Sequence, residues 1–314
     1  MPPLSDTYDH LFTNIQPHAV AGIRIFSMND SYLKPQRYEA VNNLENNIWA
    51  QLYQHQERKL DQYASKEYLL GLRMLHIPRD RFPEFKAISP LIENATGWTL
   101  LPVAGFLDEE LFFYLNANRQ FPVTDIIRHS PRFEEKYAGQ EIQNDEGYTP
   151  EPDIFHDIQG HVPFLVNKDY ADFVADMGKL GYRIIRNEAG LSPELVAHNL
   201  KRLQNFAWWT YEFGLLKNTG ETDPYRWKEN DIPYEIYGAG IISSYDETQN
   251  VIQCARGTSD RSRFLPFDME EIALTRFDYS TIQDRYYVVE SMSELYRAFY
   301  QNQDLFFYGG ENGG

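Results

Sequence analysis

Two histidines, His156 and His161, stand five residues apart in YTPEPDIFHDIQGHVPF (148–164), and a glutamate, Glu212, lies farther on inside the aromatic run AWWTYEFGL. A chain that uses all three together must bring two distant segments side by side, and that demand constrains any fold it adopts. Two imidazoles and one carboxylate, with no cysteine nearby, form the donor set that suits a non-haem Fe(II) with open coordination positions. Trp208, Trp209, Tyr211 and Phe213 flank Glu212, and burying an ionised carboxylate in such company is costly without a partner. A metal ion is such a partner. The competing reading is an exposed glutamate on an aromatic helix, with one core and one capping histidine.

On an ideal α-helix, positions five apart are splayed by roughly 140°. The sequence therefore predicts a short helix over 153–159, started behind Pro150 and Pro152 and ended by Gly160. That ending lets His161 swing back toward His156, and Pro163 keeps the helix from continuing.

Charge narrows the partners. The net charge of −17 and pI near 4.9 leave no basic footprint for nucleic acid and none for an anionic membrane, so small molecules are the expected partners. Cys254 is the single cysteine, which excludes an intramolecular disulfide or a cysteine metal cage and fits a reducing cytoplasm. No signal-peptide pattern opens the chain, and no run approaches the roughly 20 apolar residues that span a bilayer. A cytoplasmic monomer or small homo-oligomer is the expectation.

Periodicity and breakers divide the chain into an N-terminal arm (1–35), a catalytic domain (36–310) and a disordered tail (311–314). Helices are predicted over 38–63, 67–76, 81–97, 108–118, 171–187 and 193–216, the last carrying Glu212, with one more running through Phe299. Extended segments are predicted over 98–106, 121–128 and 285–290, and a long surface loop over 218–236. The expected fold class is mainly α (α+β), a single catalytic domain of helices with a small β-sheet.

The blocks LPVAGF, IRH, YTPEPDIFHDIQGHVPF, EFGL, YGAGIISS and RYYVVES occur in this order. Together they resemble the pterin-dependent aromatic amino acid hydroxylases, most closely the compact bacterial phenylalanine 4-monooxygenase type, over 38–299. The resemblance implies an aromatic amino acid hydroxylase fold and a monooxygenase that uses Fe(II), a tetrahydropterin such as tetrahydrobiopterin, and O2 to hydroxylate the ring of a free aromatic amino acid. Phenylalanine is the favoured substrate, with tyrosine or tryptophan as alternatives.

Residue by residue, the resemblance assigns the metal to His156, His161 and Glu212. The substrate falls to Arg128, Thr149, Pro152, Trp208, Ser244 and Tyr279, and the pterin to Gly105, Leu107, Phe112 and Ala207. Asp157, Ser243 and Glu247 are the further catalytic candidates; Ser243, Ser244 and Glu247 are expected behind the metal, orienting a ligand histidine and the substrate-binding groups. A planar guanidinium such as that of Arg128 suits a substrate carboxylate. Tryptophan at position 208 fits phenylalanine- or tyrosine-type enzymes.

Three departures stand out. Ala207 occupies a position where the family carries tyrosine, Tyr279 replaces a smaller residue, and the link from Glu212 to Tyr237 is longer than the resemblance leads one to expect. That link is either a cover for the site or a surface insertion. A zinc hydrolase with the same ligands would lack an HExxH general base, and a non-catalytic homologue would have no need of intact ligands.

Overall fold

The computed structural model describes residues 25–33, 36, 38–41, 43–103, 106–124, 153–220, 229–278 and 281–309. Gly105, Arg128, Thr149, Pro152 and Tyr279 lie outside the described residues, as do the 311–314 tail and most of the arm. The architecture is mainly helical with small sheets, as the sequence predicts.

Residues 25–33 lie against Val103 and Phe106–Leu107. Strand β1 (Ile25–Phe26) pairs with β3 (Phe106–Leu107), Leu33 bridges to Val103, and Phe26, Met28 and Tyr32 cover a small core of Val103, Leu107, Leu111 and Leu115. Three helices open the main body: α1 (Asn43–Tyr63), α2 (Lys66–Leu75) and α3 (Phe85–Thr96). Strand β2 (Thr99–Val103) then pairs in parallel with β4 (Gln120–Thr124), and α4 (Glu109–Ala117) forms the crossover between them. Asp108 caps α4 by accepting a hydrogen bond from Leu111 N–H.

A short α5 (Asp153–Phe155) leads into the histidine segment. Two long helices follow, α6 (Lys168–Ile185) and α7 (Pro193–Ala207). Helix α6 turns Tyr170, Phe173, Val174, Met177, Leu180 and Ile184 inward at helical spacing. Ser192 caps α7 and Pro193 occupies its first turn.

The carboxy-terminal half builds one mixed sheet in the order β6–β5–β8–β7, from β5 (Leu215–Lys217), β6 (Tyr234–Ile236), β7 (Arg263–Pro266) and β8 (Arg285–Val289). Helices α8 (Ala239–Ser243), α9 (Tyr245–Ala255), α10 (Met269–Leu274) and α11 (Met292–Gln301) complete the fold. One continuous hydrophobic core, rich in rings such as Trp98, Phe155, Phe173, Phe206 and Tyr287, joins both halves. Among the described residues no helix is long and apolar enough to cross a membrane.

The helix expected over 193–216 is corrected. The α-helix ends at Ala207, and Leu215–Lys217 is a strand that pairs with both β6 and β8. The described part of the long link is fastened to the end of α1 and to α9. Gln62 donates to Glu229 O at 2.8 Å, Tyr63 donates to Asp231 at 2.8 Å, and Arg256 pairs with Asp231 at 2.9 Å. Residues 221–228 of that link lie outside the described residues.

Candidate metal centre

Both ligand-bearing segments are π-helical. After α5 the chain widens over His156–His161, closed by the bond from Val162 N–H to Asp157 O, which spans five residues. The helix therefore does not end at Gly160, as the sequence pattern predicts. It widens instead to bonds that span five residues, which brings His156 and His161 nearer one face than an α-helix would. Gly160 serves close packing: a Cβ there would lie 2.8 Å from Ala239 O. Pro163 sits at the start of a 3-10 turn, Val162–Val166, where it needs no hydrogen bond of its own.

Glu212 closes the second π segment, Trp208–Glu212, in which Phe213 N–H reaches Trp208 O at 2.8 Å. Thr210 donates its hydroxyl back to Phe206 O at 2.7 Å, a bond of the kind that bends helices. The glycines of YGAG admit this segment. A Cβ on Gly238 would lie 2.4 Å from Glu212 O, and Gly240 N–H donates to the Glu212 carboxylate.

The three side chains converge. His161 Nε2 lies 3.1 Å from His156 Nε2 and 3.2 Å from Glu212 Oε1, while His156 Nε2 is 3.5 Å from Glu212 Oε2. Two ligands about 2.1 Å from one ion lie about 3.0–3.4 Å apart, depending on the angle between them. This is the one such cluster of histidine, cysteine or acidic ligand atoms among the described residues.

The proton inventory agrees. Ser243 donates its single hydroxyl proton to Ala239 O at 2.9 Å. At 2.8 Å from His156 Nδ1 it must therefore accept from that ring. His156 then carries its proton on Nδ1 and turns the Nε2 lone pair toward Glu212 and His161. The His156 lone pair and the Glu212 carboxylate, turned toward one another, repel unless a cation lies between them, so this donor set fits a bound metal ion.

Burial and charge fix the state of Glu212. Its side chain is 12% exposed, against 4% for His161 and 25% for His156, so the open side of the cluster lies at His156. Burial pushes the Glu212 carboxyl up, but His161, His156 and the Gly240 N–H together outweigh it and hold the group below the ordinary range. Tyr211 stacks on His161 with ring centroids 4.3 Å apart and Phe121 leans on the same ring at 5.7 Å and 50°, which restrains the ring plane.

The other described residues of the predicted site are buried or half-buried. Trp208 is buried, stacked flat on Phe277 at 4.0 Å and 5°. Asp157 is half-buried next to His156, Leu107 is buried, and Phe112 and Ala207 are half-buried. Ser244 caps α9 by accepting from Glu247 N–H. The Glu247 carboxylate accepts from Gln283 N–H at 2.9 Å and from the Tyr286 hydroxyl.

Sequence reasoning missed the Gly240 N–H and Gln283, neither of which has a local signal. It also missed the π segments, although the five-residue histidine spacing equals the span of their hydrogen bonds.

A family model described as "Biopterin-dependent aromatic amino acid hydroxylase" matches residues 29–304. The phenylalanine-4-hydroxylase of Chromobacterium violaceum is 31% identical over 295 residues, covering 94% of this chain and 85% of that protein. The crystal structure of the C. violaceum enzyme with iron and phenylalanine superimposes with a TM-score of 0.68 at 32% identity, over 89% of this chain and 87% of that one. Its structure with iron(III) and 7,8-dihydrobiopterin gives 0.69 at 32% identity, over 88% and 87%. With the ligand cluster set on paired π segments inside this fold, the chain belongs to the biopterin-dependent aromatic amino acid hydroxylases.

Proposed function

We propose that the protein is an Fe(II)- and tetrahydropterin-dependent monooxygenase that converts L-phenylalanine to tyrosine. The observation that carries this is the convergence of His156 Nε2, His161 Nε2 and Glu212 within 3.5 Å in a buried, ring-lined site. Its relatives support phenylalanine as the substrate. When bound, the iron offers open positions for O2 while the reduced pterin supplies two electrons.

The chain's own residues bind, orient and exclude water. His156, His161 and Glu212 hold the iron, and Ser243 keeps the His156 lone pair facing it. Arg128 takes the substrate carboxylate, with Thr149 and Ser244 near the same end. Trp208, Pro152 and Tyr279 enclose the substrate ring. Gly105, Leu107 and Phe112 form the pterin face, with Ala207 beside it and Asp157 as a nearby acid. Glu247 supports this arrangement from behind. We place the enzyme in the cytoplasm as a monomer or small homo-oligomer with no nucleic-acid or membrane partner.

Incubation with phenylalanine, tyrosine or tryptophan in the presence of iron, a tetrahydropterin and O2 tests the proposal. Tyrosine should form from phenylalanine only when all three are present. Hydroxylation of tryptophan instead, or turnover with zinc and no oxygen uptake, would overturn it.

A further inference from the structure

Gln283 has no part in the chemistry proposed for the site, yet the structure commits an unusual number of bonds to it. It is 3% exposed. Its side-chain Oε1 accepts from the Trp208 indole N–H at 3.0 Å. Both amide hydrogens are committed elsewhere, Nε2 donating to Asp278 O and to Thr281 O at 2.8 Å each. Its backbone N–H donates to Glu247 Oε1 at 2.9 Å, and its carbonyl accepts from the Ser262 hydroxyl at 2.5 Å. Asn250 ties the same network together, donating to Ser262 and to Tyr286, whose own hydroxyl bonds Glu247.

These bonds leave the amide one orientation. With both hydrogens fixed on loop carbonyls, Oε1 must face the indole, so Gln283 can only accept there. The stack on Phe277 and the lean on Phe213 at 4.6 Å and 31° hold the plane of Trp208. Stacking leaves a ring free to slide and turn within its plane, and the N–H bond removes that freedom.

We propose that Gln283 is a positioning residue that fixes the in-plane orientation of Trp208, and through it the wall against which the substrate ring packs. The inference rests on the reading of Trp208 as that wall. Gln283 touches no reacting group. Its effect is therefore on substrate affinity, and pterin affinity should not move.

A double-mutant cycle tests this with Gln283→Met, which keeps side-chain length without polar atoms, and Trp208→Phe, which keeps a ring without the N–H. Calorimetric phenylalanine affinity, phenylalanine KM against kcat, and the near-ultraviolet circular dichroism of Trp208 (wild type minus Trp208→Phe) are measured. Gln283→Met should weaken phenylalanine binding and raise its KM about tenfold, the value of one buried hydrogen bond, with a smaller change in kcat and a diminished Trp208 band. In the Trp208→Phe background the same substitution should do little to either.

Equal weakening in both backgrounds would show that Gln283 does not act through Trp208 and would overturn the inference. So would unchanged phenylalanine binding in Gln283→Met while Trp208→Phe weakens it, although the pocket assignment would then survive. If the Trp208 band collapses but neither variant alters phenylalanine binding, the pocket assignment fails and takes the inference with it. Should the methionine variant unfold, Gln283→Asn, which withdraws the amide by one methylene, serves the same cycle.

Discussion

Two glutamates lie in closed regions of the same half of the molecule, and their carboxyls shift in opposite directions. Glu212, at the end of its π segment, is held below the ordinary range despite burial, because His161, His156 and the Gly240 N–H surround it. Glu247, fully buried on α9, is pushed up to about 7 by burial; the Tyr286 hydroxyl, the Gln283 N–H and Arg261 only partly offset this, and Asp246 adds to it. Burial is common to both, so it does not decide ionisation. What decides is whether the combined pull of the neighbours on the anion outweighs that burial. The first region keeps an anion ready for a metal, and the second keeps a carboxyl near neutrality inside a structural brace.

The sharpest way to break that contrast is to remove the charge and leave the shape. Glu212→Gln should lose bound iron and reduce tyrosine formation on the order of a hundredfold or more, since loss of a ligand exceeds the cost of losing a supporting partner. Metal content per protein and product yield check this; near-normal iron with near-normal turnover would refute the assignment.

Glu247→Gln should instead change how stability depends on pH. The folded value of about 7 stands above the ordinary 4.5, so between them the folded protein holds a proton that the unfolded chain has released. The stability this provides is complete below about 4.5 and lost as pH rises to about 7, a fall of about 3 kcal/mol. The glutamine variant should remove that fall, which denaturant titrations at pH 5 and pH 8 would reveal. An equal offset between variant and wild type at both pH values would mean that Glu247 is ionised throughout.

Adjacent serines carry the contrast to a finer scale. Ser243→Ala removes the acceptor for His156 Nδ1–H and should weaken iron binding about 10–100-fold with little loss of stability. Ser244→Ala removes the cap of α9 and should cost about 1 kcal/mol of stability while iron affinity stays put. Iron titrations and melting curves of both variants make the test. A swap of the two effects would show that the boundary between ligand support and structural brace is misplaced.

Much of the fold was legible because its signals are local. The helices expected over 171–187 and 193–216 stand in the structure at Lys168–Ile185 and Pro193–Ala207. The run of aromatic and β-branched residues in RYYVV marked β8. The ligand trio was legible too, since a carboxylate set among rings needs a cation to offset its burial. The path of the backbone through the ligands was not. A π segment is stabilised by what packs against it, here Ala239 on Gly160 and Gly238 on the Glu212 carbonyl, and those contacts join residues far apart in sequence. Gln283 was invisible for the same reason: most of its bonding partners lie on separate segments.

The smallest expected effect concerns Ala207, at the junction of α7 and the π segment, and asks whether the metal-side region is complete as it stands. A neighbouring ring could have taken the space where the family carries tyrosine, but two candidates are committed elsewhere. Phe206 is buried against Phe299 at 5.7 Å and 20° and edge-on to Phe306. Tyr211 is sandwiched between His161 at 4.3 Å and Tyr170 at 6.0 Å. Ala207 is itself only half-buried, so a larger side chain need not displace core atoms, and the overpacking cost of about 1–3 kcal/mol that a filled site would impose should not arise. Ala207→Tyr should therefore leave the melting temperature close to wild type. It should raise the ratio of tyrosine formed to pterin consumed, by less than tenfold, which corresponds to under about 1.4 kcal/mol. Product and pterin oxidation measured together in both proteins decide the matter. A wild-type enzyme already making one tyrosine per pterin, with the tyrosine variant less stable and no better coupled, would show that the site is closed by residues other than these rings.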